Sequence, residues 1–275
     1  MRKYIIILLA FSCAFFMFLP SVTAHELYIQ VEEYENSGEL RVDVLWGHIR
    51  DYVSEASPDE FELYVRYPEG TVKQLNLEEA GVYSRANVPI TSDGTYTFWA
   101  NREKGTYTPE EGTTQLSNHM AKVVHHVGNS SSHAVESVDM EFEIVPDVDL
   151  TDFSIGKFTG KILLYGSTIS ESTVTAYGPE HEILETTTDD NGRFSFTFES
   201  TGKWLIKANL IEEEAGSIQG ESYEVISNTS TLLVDTTDKV DQEEHTNLWS
   251  LLAMLVVGLL LGTSLTLIML RKRIR

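Results

Sequence analysis

The fold class of this 275-residue chain is decided by the stretch Gly94-Thr95-Tyr96-Thr97-Phe98-Trp99-Ala100. Aromatic side chains alternate with threonines after a glycine, and this period-two pattern is typical of a β-strand with one face in a core. Residues 39–45 (Glu-Leu-Arg-Val-Asp-Val-Leu) and 61–66 (Phe-Glu-Leu-Tyr-Val-Arg) repeat the alternation. We therefore predict an antiparallel β-sheet built from short strands.

The same alternation continues toward the C-terminus, at residues 121–127, 138–145, 160–165, 173–177, 192–198 and 203–208. Between the two ends of the chain no stretch has the 3.6-residue period of an amphipathic helix. The prediction is an all-β protein of two antiparallel β-sandwich modules, Ig-like or transthyretin-like. The first module covers residues 25–148 and the second residues 154–234, with a polar connector between them.

The second module has a more specific pattern. Residues 160–166 and 172–177 are followed by Thr-Asp-Asp-Asn-Gly-Arg-Phe-Ser-Phe at 188–196 and Gly-Lys-Trp-Leu-Ile at 202–206. This order resembles carboxypeptidase-regulatory-like, transthyretin-like sandwiches, in which such a module is usually a scaffold. Asn191 and Gly192 accept the positive φ of a tight hairpin, which would turn the following phenylalanines inward.

The N-terminal residues 1–24 have the features of a secretory signal peptide. A basic start is followed by an apolar run at residues 4–19 and by Val22-Thr23-Ala24, so cleavage is expected after Ala24. An uncleaved N-terminal anchor is the alternative, although a 16-residue run is short for a membrane span of about 20 residues. Cleavage would remove Cys13 and leave a mature protein without cysteine.

The C-terminal end predicts a membrane anchor. Residues 248–270 are uncharged and would form a helix about 34 Å long, enough to cross a hydrocarbon core of about 30 Å. An acidic linker at 235–247 precedes the helix, and the basic tail 271–275 follows it. The positive-inside rule places this tail in the cytoplasm. We predict a single-pass cell-membrane protein whose N-terminal domains are extracytoplasmic.

The charge balance excludes several classes of protein. The chain has 42 acidic and 20 basic residues and a net charge of -22. The predicted ends hold six basic residues and no acidic ones, so the exported part carries -28. The negative charge excludes a basic nucleic-acid binder. The single cysteine excludes a disulfide-stapled domain and a cysteine-ligated zinc protein. The acidic surface keeps such a protein soluble and raises the local concentration of cations.

The candidate chemistry lies in the histidines. After cleavage His25 would be the N-terminal residue, and its α-amine and ring Nδ1 could chelate one metal ion; neutral imidazole suits nickel, cobalt, copper and zinc. His48 follows the strand that ends in Trp46, where a loop can direct it. The alternative for His25 is that it merely happens to follow the cleavage site and has no role in metal binding. The alternative for His48 is that it is an ordinary turn residue.

A second group of histidines, His119, His125, His126 and His133, is dense for its length. If residues 121–127 form one strand, His125 and His126 point to opposite faces and cannot share one site. A site made of His119, one of that pair and His133 requires the flanking loops to fold back. His181 and His245 are interpreted as exposed polar residues. Asn129 and Asn228 begin Asn-x-Ser/Thr sequences, a weak glycosylation pattern.

Several short segments together resemble one family. They include Ala24-His25-Glu26-Leu27-Tyr28, Gly47-His48, residues 67–70 (Tyr-Pro-Glu-Gly), residues 143–146 (Glu-Ile-Val-Pro) and the pattern of the second module. The chain resembles an exported domain-of-unknown-function family whose members include accessory subunits encoded beside energy-coupling-factor nickel and cobalt transporters. The resemblance implies a two-sandwich, metal-associated, extracytoplasmic protein. Of the histidines, it places only His25 and His48 on the family's positions.

These observations lead to one main functional hypothesis and two competitors. The main hypothesis is a membrane-anchored extracytoplasmic protein, not an enzyme, that binds Ni²⁺ or Co²⁺ and assists uptake through subunits of an energy-coupling-factor-type transporter. His25 and His48 are its primary ligands, and His119, His125, His126 and His133 are auxiliary. The first competitor is a cell-surface β-sandwich for adhesion or complex assembly that binds no metal. The second is a copper oxidase that uses an N-terminal histidine.

Overall fold

The computed structural model describes residues 25–34, 37–49, 52–110, 112–128, 136–151 and 153–237. The predicted signal peptide, residues 1–24, lies outside the described residues, as do His133, His245 and the predicted membrane helix with its basic tail. Within the described ranges, no helix has the length and apolar character needed to cross a membrane. The described residues belong to one compact unit that ends at Thr237.

The described residues form β-strands joined by short turns. From the start of this region to Val127 the strands are β1 (Glu26–Glu33), β2 (Glu39–Gly47), β3 (Val53–Ser54), β4 (Phe61–Arg66), β5 (Val72–Leu75), β6 (Glu78–Ala80), β7 (Tyr83–Pro89), β8 (Gly94–Arg102), β9 (Gly105–Tyr107) and β10 (Gln115–Val127). After them come β11 (Phe142–Pro146), β12 (Gly156–Leu164), β13 (Ser167–Thr168), β14 (Thr173–Tyr177), β15 (Ile183–Thr187), β16 (Arg193–Phe198), β17 (Lys203–Glu212), β18 (Gly216–Ile218), β19 (Glu221–Tyr223) and β20 (Val225–Asp235). A 3-10 turn at Pro58–Glu60 precedes β4. The all-β prediction is confirmed.

The strands form three stacked sheets and one small hairpin. The front sheet has the order β1-β2-β7-β6, with β3 paired to β2. The central sheet has the order β15-β14-β17-β20-β10-β8-β4-β5, and β9 pairs with β10 at its side. The back sheet consists of β11, β12, β13 and β16, and β18 pairs with β19 in the hairpin.

The alternation of side chains along the central sheet explains the layers. Leu205 of β17 faces the front sheet and belongs to the first hydrophobic core. Its neighbours Trp204 and Ile206 point the other way and belong to the second core, against the back sheet. The same alternation separates Val123 from Met120 in β10. Because both faces of the central sheet are buried, its strands carry apolar residues at odd and even positions alike.

The strands of residues 25–148 and 154–234 share the central sheet. β10 and β20 pair in parallel, with Asn118 opposite Asn228, whereas the other strand pairs are antiparallel as predicted. β11 also contributes Phe142 and Ile144 to the second core, where they pack with residues of the C-terminal strands. Sandwich packing is therefore present, while the division into two modules stays a prediction from the sequence.

Asn228 is not an exposed glycosylation acceptor, contrary to the sequence pattern. Its side chain is fully buried. Its Oδ1 accepts a hydrogen bond from Asn118 Nδ2 at 2.9 Å, and its Nδ2 donates to Glu212 Oε1 at 2.5 Å. Buried amides on adjacent strands satisfy one another, so Asn228 is needed where β10 meets β20.

The turn before β16 is present, but it is not a hairpin, because β15 pairs with β14 and β16 pairs with β12 in a different sheet. Of the two residues predicted to have a positive φ, Gly192 has one and Asn191 does not. Gly192 has a φ of 72°, and its amide donates to Asp189 O at 2.8 Å. A Cβ at this position would lie 2.9 Å from the backbone nitrogen of Ile169, so only glycine fits. The turn directs Phe194 and Phe196 into the second core.

Candidate metal-binding site

The pairing of β1 with β2 brings His25 and His48 together. Their antiparallel register places Glu26 opposite Gly47, so the residue before β1 lies beside the residue after β2. The two imidazole ring centres are 5.0 Å apart. The buried side chains of Leu27 and Val44 hold this register, since a slip by one residue would turn them out of the core.

The end of β2 lies close to Tyr52, which borders the site. Gly47 has a φ of 154°, and a Cβ at this position would lie 2.4 Å from Tyr52 O. The His48 amide donates to the same oxygen at 2.8 Å. The Tyr52 ring consequently meets the rings of His25 and His48 nearly edge-on, at centre distances of 5.7 and 5.1 Å.

Each imidazole has a polar partner at one ring nitrogen. His25 Nε2 lies 2.9 Å from Ser54 Oγ on β3. His48 Nδ1 lies 3.4 Å from Glu26 Oε2. Contacts of this kind fix the orientation and tautomer of histidines that bind metal through the other nitrogen. For His25 the other nitrogen is Nδ1, which stands nearest to the residue's own backbone nitrogen.

Trp46 forms the floor beneath His25. The two rings stack at 5.5 Å with an interplanar angle of 19°. The guanidinium carbon of Arg102 lies 4.1 Å from the centre of the Trp46 ring, and Glu60 holds Arg102 through two hydrogen bonds of 2.6 and 3.2 Å. His119 meets the Trp46 ring edge-on at 4.7 Å.

His119 is a neutral histidine whose side chain is half-buried and whose Nδ1 is buried. Its Nδ1 is shielded from solvent and has no hydrogen-bond partner among the described residues. Burial lowers the pKa of His119 to about 3, helped by the positive charges of Arg102 and Lys207 and by His25. Burial, followed by the neighbouring His48, also lowers the pKa of His25. Both rings are therefore neutral, the form that binds metal, at physiological pH.

The structure does not gather the predicted histidines into one cluster. In the part of the chain that the structure describes, no three His, Cys, Asp or Glu side chains are placed to hold one metal ion. His25 and His48 form a pair, and His119 contacts the Trp46 ring that stacks on His25.

His125 and His126 lie apart from that pair on β10. They are adjacent strand residues and occupy opposite faces, and His126 Nδ1 is 3.2 Å from Thr95 Oγ1. His133 falls outside the described residues. His181 is exposed, in a turn with a φ of 69°.

Sequence reasoning missed the residues that surround the pair. Glu26 lies in the segment 24–28 that resembles the family, but nothing in the sequence marks its side chain as functional. Trp46 and Arg102 look like ordinary strand residues in the sequence. Lys207 is 181 positions away from Glu26, yet its Nζ lies 3.0 Å from Glu26 Oε1. The packing of the front sheet on the central sheet brings these side chains together.

The chain is similar at low identity to several solved β-proteins. One is the BSP domain of a biofilm associated protein, with 17% identity and a TM-score of 0.19, over 78% of this chain and 30% of that one. Another is a Ca²⁺-stabilized adhesin that helps an Antarctic bacterium to bind ice, with 13% identity and a TM-score of 0.22, over 78% and 49%. A third comprises fibronectin(III)-like modules of Clostridium thermocellum CbhA, with 10% identity and a TM-score of 0.20, over 82% and 97%. The chain thus spans less than half of the first two structures, and TM-scores this low support no argument about function. No curated protein matches the chain.

One family model covers most of the described region. It is named "Domain of unknown function (DUF4198)" and matches residues 22–212. The matched range begins just before His25 and includes His48, His119 and Lys207. The chain belongs to this family of unknown function, DUF4198.

Proposed function

We propose that this protein is a membrane-anchored, extracytoplasmic accessory protein that binds Ni²⁺ or Co²⁺ and assists its uptake through a transporter. The metal donors are the α-amine and Nδ1 of His25, after cleavage behind Ala24, and Nε2 of His48. The single observation that supports this proposal most strongly is the 5.0 Å separation of the His25 and His48 rings at the predicted mature N-terminus.

This separation suits one shared ion. Metal–imidazole bonds are about 2.0–2.1 Å long, so two imidazoles bound to one ion have ring centres about 4.5 Å apart at a right angle and about 5.2 Å apart at the tetrahedral angle, a range that includes the observed distance. The α-amine of the same residue would add a third nitrogen donor. The site then needs no third side chain, which agrees with the lack of a three-residue metal cluster in the described ranges.

The chemistry of the donors favours transition metals. Amine and imidazole nitrogens bind nickel, cobalt and copper, whereas calcium and magnesium prefer oxygen ligands. The lowered pKa of His25 means that fewer protons compete with a metal at neutral pH. The acidic surface would concentrate cations near the site. Binding and release at such a site require no catalytic residues.

The proposal also includes a membrane anchor and a transporter partner. The anchor is inferred from the uncharged residues 248–270. The partner is inferred from the resemblance to accessory subunits of energy-coupling-factor transporters. Co-purification of the full-length protein with transporter subunits from its native membrane is the measurement that checks this part.

Calorimetric titration of the mature protein with Ni²⁺, Co²⁺ and Cu²⁺ tests the metal site. We expect Ni²⁺ or Co²⁺ to bind well below about 1 mM, and His25→Ala or His48→Ala to weaken binding at least about tenfold. His181→Asn is the matched control, because His181 is exposed and asparagine tolerates its positive φ. Binding weaker than about 1 mM would favour the metal-free surface module. Binding that His25→Ala leaves unchanged would show that His25 is not a ligand and would contradict the proposed site. Preferential Cu²⁺ binding with oxygen consumption would favour the copper oxidase.

A further inference from the structure

An ion pair lies directly behind the His25–His48 pair. Glu26, the first residue of β1, is 4% exposed. Its Oε1 accepts a hydrogen bond from Lys207 Nζ at 3.0 Å, and its Oε2 faces His48 Nδ1 at 3.4 Å. One carboxylate therefore connects a lysine of the central sheet with a histidine of the front sheet.

Lys207 is held firmly in this position. It belongs to β17, on the face that also carries Leu205 into the first core. Its Nζ also lies 5.4 Å from the centre of the Tyr177 ring. Burial acts to lower the pKa of Lys207, but Glu26 and Tyr177 outweigh it, so the pKa is raised and the side chain stays charged.

Stability alone does not explain this ion pair. Removing two charges from water costs several kcal/mol, and apolar replacements of buried pairs are often neutral or stabilising. A carboxylate that accepts from the Nδ1–H of a histidine does have a known consequence. It fixes the tautomer with the proton on Nδ1, orients the ring and makes Nε2 the donor atom.

We propose that Glu26 and Lys207 are positioning residues for His48: Glu26 holds the proton on His48 Nδ1 and presents Nε2 to the metal, and Lys207 holds the Glu26 carboxylate in place. This inference rests on the proposed metal-binding function for the identity of the ligand. The orientation of His48 can be measured without any metal.

The same contacts give the C-terminal strands a role in the site. The metal ligands flank two strands of the front sheet, His25 directly before β1 and His48 directly after β2, whereas Lys207 lies on β17. A lysine of the half interpreted from sequence as a scaffold thus aligns a ligand of the front sheet. The alignment of His48 through Glu26 therefore depends on the docking of the front sheet on the central sheet, because Lys207 contacts Glu26 from β17.

The test uses the mature full-length protein in detergent, selectively labelled with ¹⁵N-histidine. Long-range ¹H–¹⁵N NMR of the metal-free protein reports the tautomer of each histidine, and Ni²⁺ titration reports affinity. The main variant is Glu26→Leu/Lys207→Met, which replaces both charges with apolar groups of similar size, so folding is expected to persist. Lys207→Arg is the conservative variant, and Glu33→Gln, at the exposed end of β1, is the matched control.

For the wild type, Lys207→Arg and Glu33→Gln, we expect His48 to be a single Nδ1–H tautomer. In the double variant we expect a mixture of tautomers and Ni²⁺ binding that is about 10- to 100-fold weaker. Thermal unfolding shows whether the double variant is folded. If it does not fold, Glu26→Met/Lys207→Gln, which leaves no acceptor for His48 Nδ1 at position 26 and keeps a polar group at position 207, replaces it with the same tautomer readout.

The outcomes separate this inference from the proposed function. Wild-type protein that binds Ni²⁺, together with a double variant whose His48 tautomer and affinity are unchanged, overturns the positioning role alone. Wild-type protein that binds neither Ni²⁺ nor Co²⁺ contradicts the proposed function and, with it, the metal-presenting role of Glu26.

Discussion

The variant His119→Phe keeps an aromatic ring against Trp46 but removes the buried titratable group. In the wild type the two rings meet edge-on at 4.7 Å, an arrangement that phenylalanine can adopt. The pKa of His119 is lowered from 6.5 to about 3 in the folded protein. The unfolded chain therefore binds more protons than the folded protein between these two pH values.

This difference determines the sign of the pH dependence. A depressed histidine pKa means that stability is complete above about pH 6.5 and falls as the pH is lowered toward 3. One pK unit corresponds to about 1.36 kcal/mol. Lowering the pH from 7 to 5 therefore reduces the free energy of unfolding of the wild type by about 2 kcal/mol, because His119 takes up a proton when the chain unfolds. The full loss through this group, reached near pH 3, is about 5 kcal/mol as an upper bound.

His119→Phe should lack this loss. The variant should also be at least as stable as the wild type at pH 7, because it removes a buried Nδ1 that has no partner among the described residues. His25 has a lowered pKa as well and stays in both proteins. The difference between wild type and variant therefore isolates His119.

Urea unfolding of chains that start at His25 and end at Thr237, where the compact unit ends, measures this effect at pH 5, 6 and 7. EDTA is included so that metal binding does not contribute. His181→Asn is the control and should follow the wild type, because this histidine is exposed. If His119→Phe loses as much stability between pH 7 and pH 5 as the wild type does, His119 is not a buried neutral histidine and the reasoning is wrong.

Two further substitutions test a buried ion pair between the central and back sheets and the glycine that ends β2. Lys122→Met should destabilise the protein by about 3–5 kcal/mol in urea unfolding, because it leaves the fully buried Glu143, 2.5 Å from Lys122 Nζ, without its cation. Adding Glu143→Gln should recover most of that loss, and a single variant as stable as the wild type would contradict the buried pair. Gly47→Ala should lower the melting temperature and weaken Ni²⁺ binding at least about tenfold, since a Cβ would lie 2.4 Å from Tyr52 O. Gly105→Ala, which has open space for a Cβ, is the control and should change neither quantity.

The sequence predicts which segments form strands better than it predicts which strands pair with one another. Alternation identifies which residues face a core, and the all-β fold follows from residues such as Tyr96 and Phe98. Alternation does not say which strands pair across 100 positions of sequence. The parallel pair of Asn118 with Asn228 was therefore not predicted, and it is this pair that places both halves in one sheet.

The candidate site shows the same limit. His25 and His48 could be singled out from the cleavage pattern and the strand end, but their 5.0 Å separation depends on the register of β1 with β2. The separation of His125 from His126 follows from strand geometry alone. The position of His119 beside Trp46, and of Lys207 beside Glu26, depends on how the front sheet packs on the central sheet. No local sequence pattern encodes that packing.

The N-terminal amine is the donor that distinguishes this site from a chance pair of histidines. The most direct test compares Ni²⁺ binding by two otherwise identical chains, one that begins at His25 and one that begins at Ala24. We expect the extra residue to weaken binding at least about tenfold, or about 1.4 kcal/mol. The reason is that the α-amine then belongs to Ala24 and no longer to the residue that carries the His25 ring. Equal affinity for the two chains, or no binding by either, would contradict the account.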